Sequence, residues 1–194
     1  LMKQAILAAE DERFYQHPGV DTVGVMRAAW SNIVSGGKRQ GASTITMQVA
    51  RNFFLSSEKT LSRKIYEALL SFKIENNLSK DEILQLYINQ IYLGQRAYGF
   101  SAAANTYFGK ELSDLSIAET AMLAGLPKAP SAYNPVANPK RAALRQQYVL
   151  RRMHELGFIN DKQLESAQQE KLHVRANPDQ FSVRADYVAE MARQ

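Results

Sequence analysis

The 194-residue sequence contains no cysteine. That excludes disulfides and thiolate metal sites and leaves the compartment open. No run of about 18 or more apolar residues occurs, so nothing here reads as a bilayer-spanning helix. Its three histidines, His17, His154 and His173, are too scattered for a metal spacing such as His-Glu-x-x-His. P-loop and dinucleotide fingerprints are missing, and strand signals are weak. The first residues lack a basic n-region and a cleavage site, and Leu1 begins inside a helical pattern. Any anchor or targeting segment is therefore expected outside this chain.

Hydrophobic residues make up 45% and charged residues 22%, as in an ordinary globular protein large enough for a real core. A formal charge of +5 and a pI near 9.4 favour an anionic partner: nucleic acid, phosphate or pyrophosphate, or an acidic membrane surface. Helical periodicity dominates the chain. It predicts helices ending near Asp11, then over Val23–Val34, Thr44–Phe53, Arg63–Leu78, Ile83–Leu93, Phe100–Phe108, Ile117–Leu126 and Arg141–Leu156, with a last short one reaching Lys171. Ser79–Glu82, Ser116–Glu119 and Asn160–Gln163 supply helix-start signals. Ser35–Gly41 reads as a flexible basic loop, Phe53–Leu55 as an exposed apolar knot, and the segment holding Pro127, Pro130, Pro135 and Pro139 as an ordered loop. The fold class is mainly α, with a glycine hinge near residue 37.

Glu10 lies four residues after Ile6 and three after Leu7, on the apolar face of its helix. A carboxylate there is partly desolvated, which raises its pKa and suits it to proton transfer near neutral pH. The plainer reading is that Glu10 and Asp11 are solvated residues at a helix end. Glu67 follows Arg63 by four residues and Lys64 by three, so the three share one face. That trio is either a surface salt-bridge stripe or an anion site, with Arg63 and Lys64 on phosphate oxygens. Gly41–Gln48 is a loop-to-helix junction with hydroxyls at the helix start. Ser43 or Thr44 can cap it, and such a terminus also suits phosphate, with Gln48 and Arg51 on successive turns. Lys128 is a further candidate cation. Two Ser-x-x-Lys sequences, Ser35–Lys38 and Ser56–Lys59, lack the partner motifs of a penicillin-reactive nucleophile and are set aside.

In order and spacing these blocks resemble the peptidoglycan glycosyltransferases (glycosyltransferase family 51), found in class A penicillin-binding proteins and in monofunctional transglycosylases. Glu10, Asp11, Phe14, His17 and Gly19 match the first motif, and Gly41, Ser43, Thr44, Ile45, Gln48 and Asn52 the second. Arg63, Lys64 and Glu67 match the third, while Ile83, Leu84, Tyr87, Asn89, Tyr92, Leu93 and Gly94 match the fourth. Arg145, Val149, Leu150 and Met153 match the fifth. Met47 and Arg51 depart from the usual glutamine and lysine of the second motif, and Arg51 keeps the charge.

The resemblance implies a lysozyme-like fold, with a helical main lobe and a smaller membrane-facing jaw at roughly 24–62. Residues 1–175 would form the catalytic domain, and 176–194 a linker toward a transpeptidase domain not in this chain. The implied activity is polymerisation of lipid II into β-1,4-linked glycan, with inversion and release of undecaprenyl pyrophosphate. Glu10 would be the general base. Glu67, with Arg63 and Lys64, would serve the donor pyrophosphate directly or through a divalent cation, Mg²⁺ or Mn²⁺; no organic cofactor is implied. Ser43, Thr44, Gln48, Arg51, Asn52, Lys128 and Ser131 would grip phosphate and sugar, with Asp11 and Phe14 also at the substrate. Expected partners are lipid II, the growing glycan and a membrane surface, and no nucleic acid. The expected location is the periplasmic face of an inner membrane, reached through an N-terminal anchor outside this chain. The rival readings are a lysozyme-like lytic enzyme and a basic helical nucleic-acid module.

Overall fold

The computed structural model describes residues 1–26, 43–55 and 60–175, apart from the side chain of Leu61. Eight α-helices carry these residues: α1 (Met2–Glu10), α2 (Ile45–Phe54), α3 (Leu61–Glu75), α4 (Lys80–Gln90), α5 (Phe100–Phe108), α6 (Ile117–Ala124), α7 (Pro139–Glu155) and α8 (Asp161–Gln169). Residues 22–26 are also helical. Among the described residues, β structure is confined to an antiparallel bridge between Tyr92 and Tyr98. The expected mainly α class is what the chain adopts.

Helix α6 lies at the centre. Every residue from Ala118 to Ala124 is buried, and its small side chains let α1, α5, α7 and α8 approach closely. A second group forms where α2 packs on α3 and α4. Ile45, Val49 and Ala50 of α2 join the same apolar core as Ile6 of α1 and Leu123 of α6, so the two groups share one interior. The ends of α1 and α2 meet there, and that junction positions the site.

The caps expected from sequence are present. Ser79, Ser116 and Asn160 each close a reciprocal capping box, and Thr44 rather than Ser43 caps α2 by accepting the Met47 amide. Several boundaries differ. Helix α3 starts at Leu61 because Thr60 caps it, and α4 stops at Gln90, where Ile91 turns extended at ψ 134°. Helix α7 begins at Pro139, whose missing N–H costs nothing in a first turn. The proline loop is ordered by Asn134, whose side-chain oxygen accepts the amides of Val136 and Ala137. The helix expected through Val34, the loop of Ser35–Gly41, both Ser-x-x-Lys sequences and the linker at 176–194 lie largely or wholly outside the described residues.

The largest surprise is the orientation of α3. Its apolar positions Ile65, Tyr66, Leu69 and Phe72 are 61%, 58%, 58% and 41% exposed, while Glu67 and Ser71 are buried. The charged face meets the protein and the apolar face meets solvent.

Candidate active site

The site is assembled where the C-terminus of α1 meets the first turn of α2. Asp11 caps α1 and is itself buried. Both its oxygens lie 3.0 Å from His17 Nε2, and Oδ2 also accepts the Ile45 amide at 3.0 Å. A carboxylate at a helix N-terminus satisfies an otherwise orphaned donor and complements the positive end of the dipole. Thr44 adds a second tie by donating to the Gly19 carbonyl at 2.5 Å. These bonds lock the loop after Glu10 onto α2.

The lock aims Gln48 at Glu10. Gln48 Nε2 donates to Glu10 Oε2 at 3.0 Å, and Arg145 Nη2, from α7, donates to Oε1 at 2.9 Å. The Glu10 side chain is only 9% exposed and that of Arg145 only 7%. Arg145 is fixed in turn by the carbonyls of Ala9 and Gly125 and by the ring of Tyr148, 4.7 Å from its guanidinium carbon. Desolvation by burial raises the Glu10 pKa above its ordinary 4.5, against the opposing pull of Arg145, the Gln48 hydrogen bond and the Lys128 charge. The result is a carboxylate that is hydrogen-bonded yet more basic than usual, as general-base work at neutral pH requires.

The second carboxylate, Glu67, belongs to α3. Glu67 is buried between two cations, with Arg63 Nε 3.1 Å from Oε1 and Lys64 Nζ 2.8 Å from Oε2. Lys64 Nζ also donates to Ser43 Oγ at 2.6 Å, which ties α3 to the start of α2. This is no solvated stripe. Among the described residues no group of three or more His, Asp or Glu could hold a metal ion. A single carboxylate already neutralised by Arg63 and Lys64 does not fit a divalent ion by itself, since such ions take several oxygen ligands.

Several expected substrate contacts have other work here. Phe14 is wholly buried, edge-on to Tyr15 and His17 with Lys80 Nζ over its ring, so it offers a ligand no surface and props the loop. The buried carboxylate of Asp11 and hydroxyl of Thr44 are spent on the loop–helix lock. Ser43 and Arg51 are half-buried, and Asn52, Lys128 and Ser131 are exposed. Lys128 is near enough to Glu10 for its charge to be felt. Met47, the departure in the second motif, points into the protein and is 4% exposed. The residue missed in sequence is Arg145. Its match to the fifth motif was visible, but only its conjunction with Glu10 in space gives it a role.

A family model described as Transglycosylase matches residues 1–154. The chain belongs to that transglycosylase family. Penicillin-binding protein 1A of Neisseria flavescens is 60% identical over 194 residues, which is all of this chain and 24% of that protein. A protein of Cupriavidus necator named for a transglycosylase is 63% identical over 171 residues, 88% of this chain and 74% of its own length. The crystal structure of penicillin-binding protein 1A from Haemophilus influenzae is 38% identical with a TM-score of 0.50, covering 77% of this chain and 19% of that one. The transglycosylase domain thus spans about a quarter of the penicillin-binding proteins it matches. The family expected from the five motifs is the family found.

Proposed function

We propose that this transglycosylase domain polymerises lipid II. The observation that carries the reading is that one segment holds both halves of the site: Gln48 of α2 donates to the buried Glu10, and Ser43, just before α2, accepts from Lys64 of the Arg63–Lys64–Glu67 cluster. Glu10 takes the proton of the acceptor sugar's 4-hydroxyl as that oxygen attacks the anomeric carbon of the growing chain. The bond to the pyrophosphate oxygen breaks on the opposite face, so configuration inverts, a β-1,4 link forms and undecaprenyl pyrophosphate leaves with the electron pair. Positive charge aimed at the leaving group is worth most when the charges are preorganised. Lys64, anchored by both Ser43 and Glu67, is preorganised. Ser43, Gln48, Arg51, Asn52, Lys128 and Ser131 are assigned to phosphate and sugar. Glu67 acts by holding Arg63 and Lys64, and a divalent ion would join it only with pyrophosphate oxygens completing the shell.

A lytic enzyme must protonate a leaving sugar oxygen, and a pyrophosphate needs cations instead. The cation set therefore favours synthesis. A nucleic-acid module would leave the buried, hydrogen-bonded Glu10 without a role. We further propose that the exposed apolar face of α3, with Phe53 and Phe54 of α2 at 47% and 63% exposure, rests on the membrane that holds the lipid. No helix among the described residues is long and apolar enough to cross it. We place the domain at the periplasmic face of an inner membrane, working beside an anchor and a transpeptidase domain. Incubation with labelled lipid II followed by muramidase digestion tests the reading. Muramidase-sensitive polymer supports it, and release of glycan fragments from peptidoglycan without polymerisation would replace it with a lytic activity.

A further inference from the structure

Glu10 keeps its Gln48 hydrogen bond only if the amide faces the right way, and an amide can flip. Nε2 and Oε1 are nearly the same shape, so packing alone does not choose between them. While Glu10 is ionised its own charge selects the N–H₂ end. Once it has taken a proton that preference weakens, and something else must hold the amide for the next cycle. On the far side of Gln48 lies Tyr87 of α4, which is 1% exposed. Its hydroxyl donates to Gln48 Oε1 at 3.4 Å, within a buried contact.

We infer that Tyr87 is a positioning residue for the base, acting through Gln48 to keep an N–H donor on Glu10 Oε2 in every step of the cycle. The inference rests on the reading of Glu10 as the general base. Tyr87 can only donate reliably if it never ionises. Burial, and next the negative charge of Glu10, push its pKa well above the ordinary 10.0, against Arg51 and Arg145 and with a smaller push from Asp11. The charged and titratable groups facing Glu10 are Arg145 from α7 and Lys128 from the proline loop, with the neutral Gln48 from α2. Neither cation can replace the amide on Oε2, because Arg145 occupies Oε1 and Lys128 is exposed at the loop.

Tyr87→Phe removes the hydroxyl and keeps the buried ring. With lipid II in detergent micelles, kcat is expected to fall about tenfold with KM within about twofold. Because the Gln48 bond lowers the Glu10 pKa, the acid limb of the kcat–pH profile should move to higher pH. In a Gln48→Ala background the same substitution should change neither quantity further. An unmoved acid limb, or an equal loss with and without Gln48, overturns the inference. Glu10→Gln measured alongside separates the two claims. If that variant polymerises at the wild-type rate the base itself is wrong, whereas if it is inactive while Tyr87→Phe is unchanged, only the relay fails.

Discussion

Arg145 Nη2 stands 2.9 Å from Glu10 Oε1, although 135 positions separate the two in sequence. The contact fixes the carboxylate in one rotamer and leaves its second oxygen to Gln48. Removing one partner of a buried pair strands the other, at about 3–5 kcal/mol. Arg145→Ala should therefore lower stability by that order and abolish most polymerisation. Arg145→Lys keeps charge but loses the fork to the Ala9 and Gly125 carbonyls, and should restore part of the stability and little of the rate. Chemical denaturation and lipid II turnover check both.

The raised pKa of Glu10 has two consequences of definite sign. The free-enzyme rate should rise with pH through a limb lying above 4.5, the ordinary glutamate value. Stability runs the other way. A carboxyl whose folded pKa is raised binds its proton more tightly when folded, so its contribution is full below its unfolded pKa and is lost as pH rises through the folded one. Glu10→Gln, neutral at every pH, should have a Tm at or above wild type at pH 7–8, the gap closing as pH falls below the ordinary value. A lower Tm for the variant at neutral pH would mean that the Arg145 pair outweighs burial.

Glu67→Gln removes the charge that holds Arg63 and Lys64. The expected result is loss of at least about tenfold in turnover, since preorganised donors to developing charge are commonly worth two to three orders of magnitude. Added Mg²⁺ should not rescue it. Recovery of the rate at high metal concentration would instead make Glu67 a ligand.

The apolar face of α3 gives a prediction about location and not about chemistry. Leu69→Ser with Phe54→Ser alters side chains 58% and 63% exposed, so Tm should shift little, each surface change being within about 0.5 kcal/mol. Binding to liposomes, read by sedimentation, should fall several-fold. Unchanged binding would move the membrane contact elsewhere.

How far the sequence spoke can be judged from particular residues. The burial of Glu10 followed from its place after Ile6 and Leu7. The Ser116 box put a helix start at Ile117, where it is, whereas the helix after Ser79 begins at Lys80, three residues before the expected Ile83. For α3 the shared face of Arg63, Lys64 and Glu67 was legible, and whether that face is a surface stripe or part of a site was not. Periodicity shows that a helix has two faces, but which one meets protein depends on its neighbours, here Ser43 and Thr46 of the α2 region, which call for polar partners. Phe14 looked like a ligand contact because aromatic residues at a catalytic motif serve either use, and only burial decides. Arg145 and Tyr87 were visible as motif members, yet their roles exist only through contacts with Glu10 and Gln48 across long stretches of chain.

The central claim is that Glu10 is the base that activates the acceptor sugar. The most direct measurement is the rate of lipid II polymerisation by Glu10→Gln, with lipid II binding and Tm recorded on the same preparation. The substitution keeps the side chain's shape and one acceptor oxygen, enough for one of the two donors, Arg145 or Gln48, so binding and fold should persist while polymer formation disappears. Polymer of wild-type length made at a comparable rate would contradict the account.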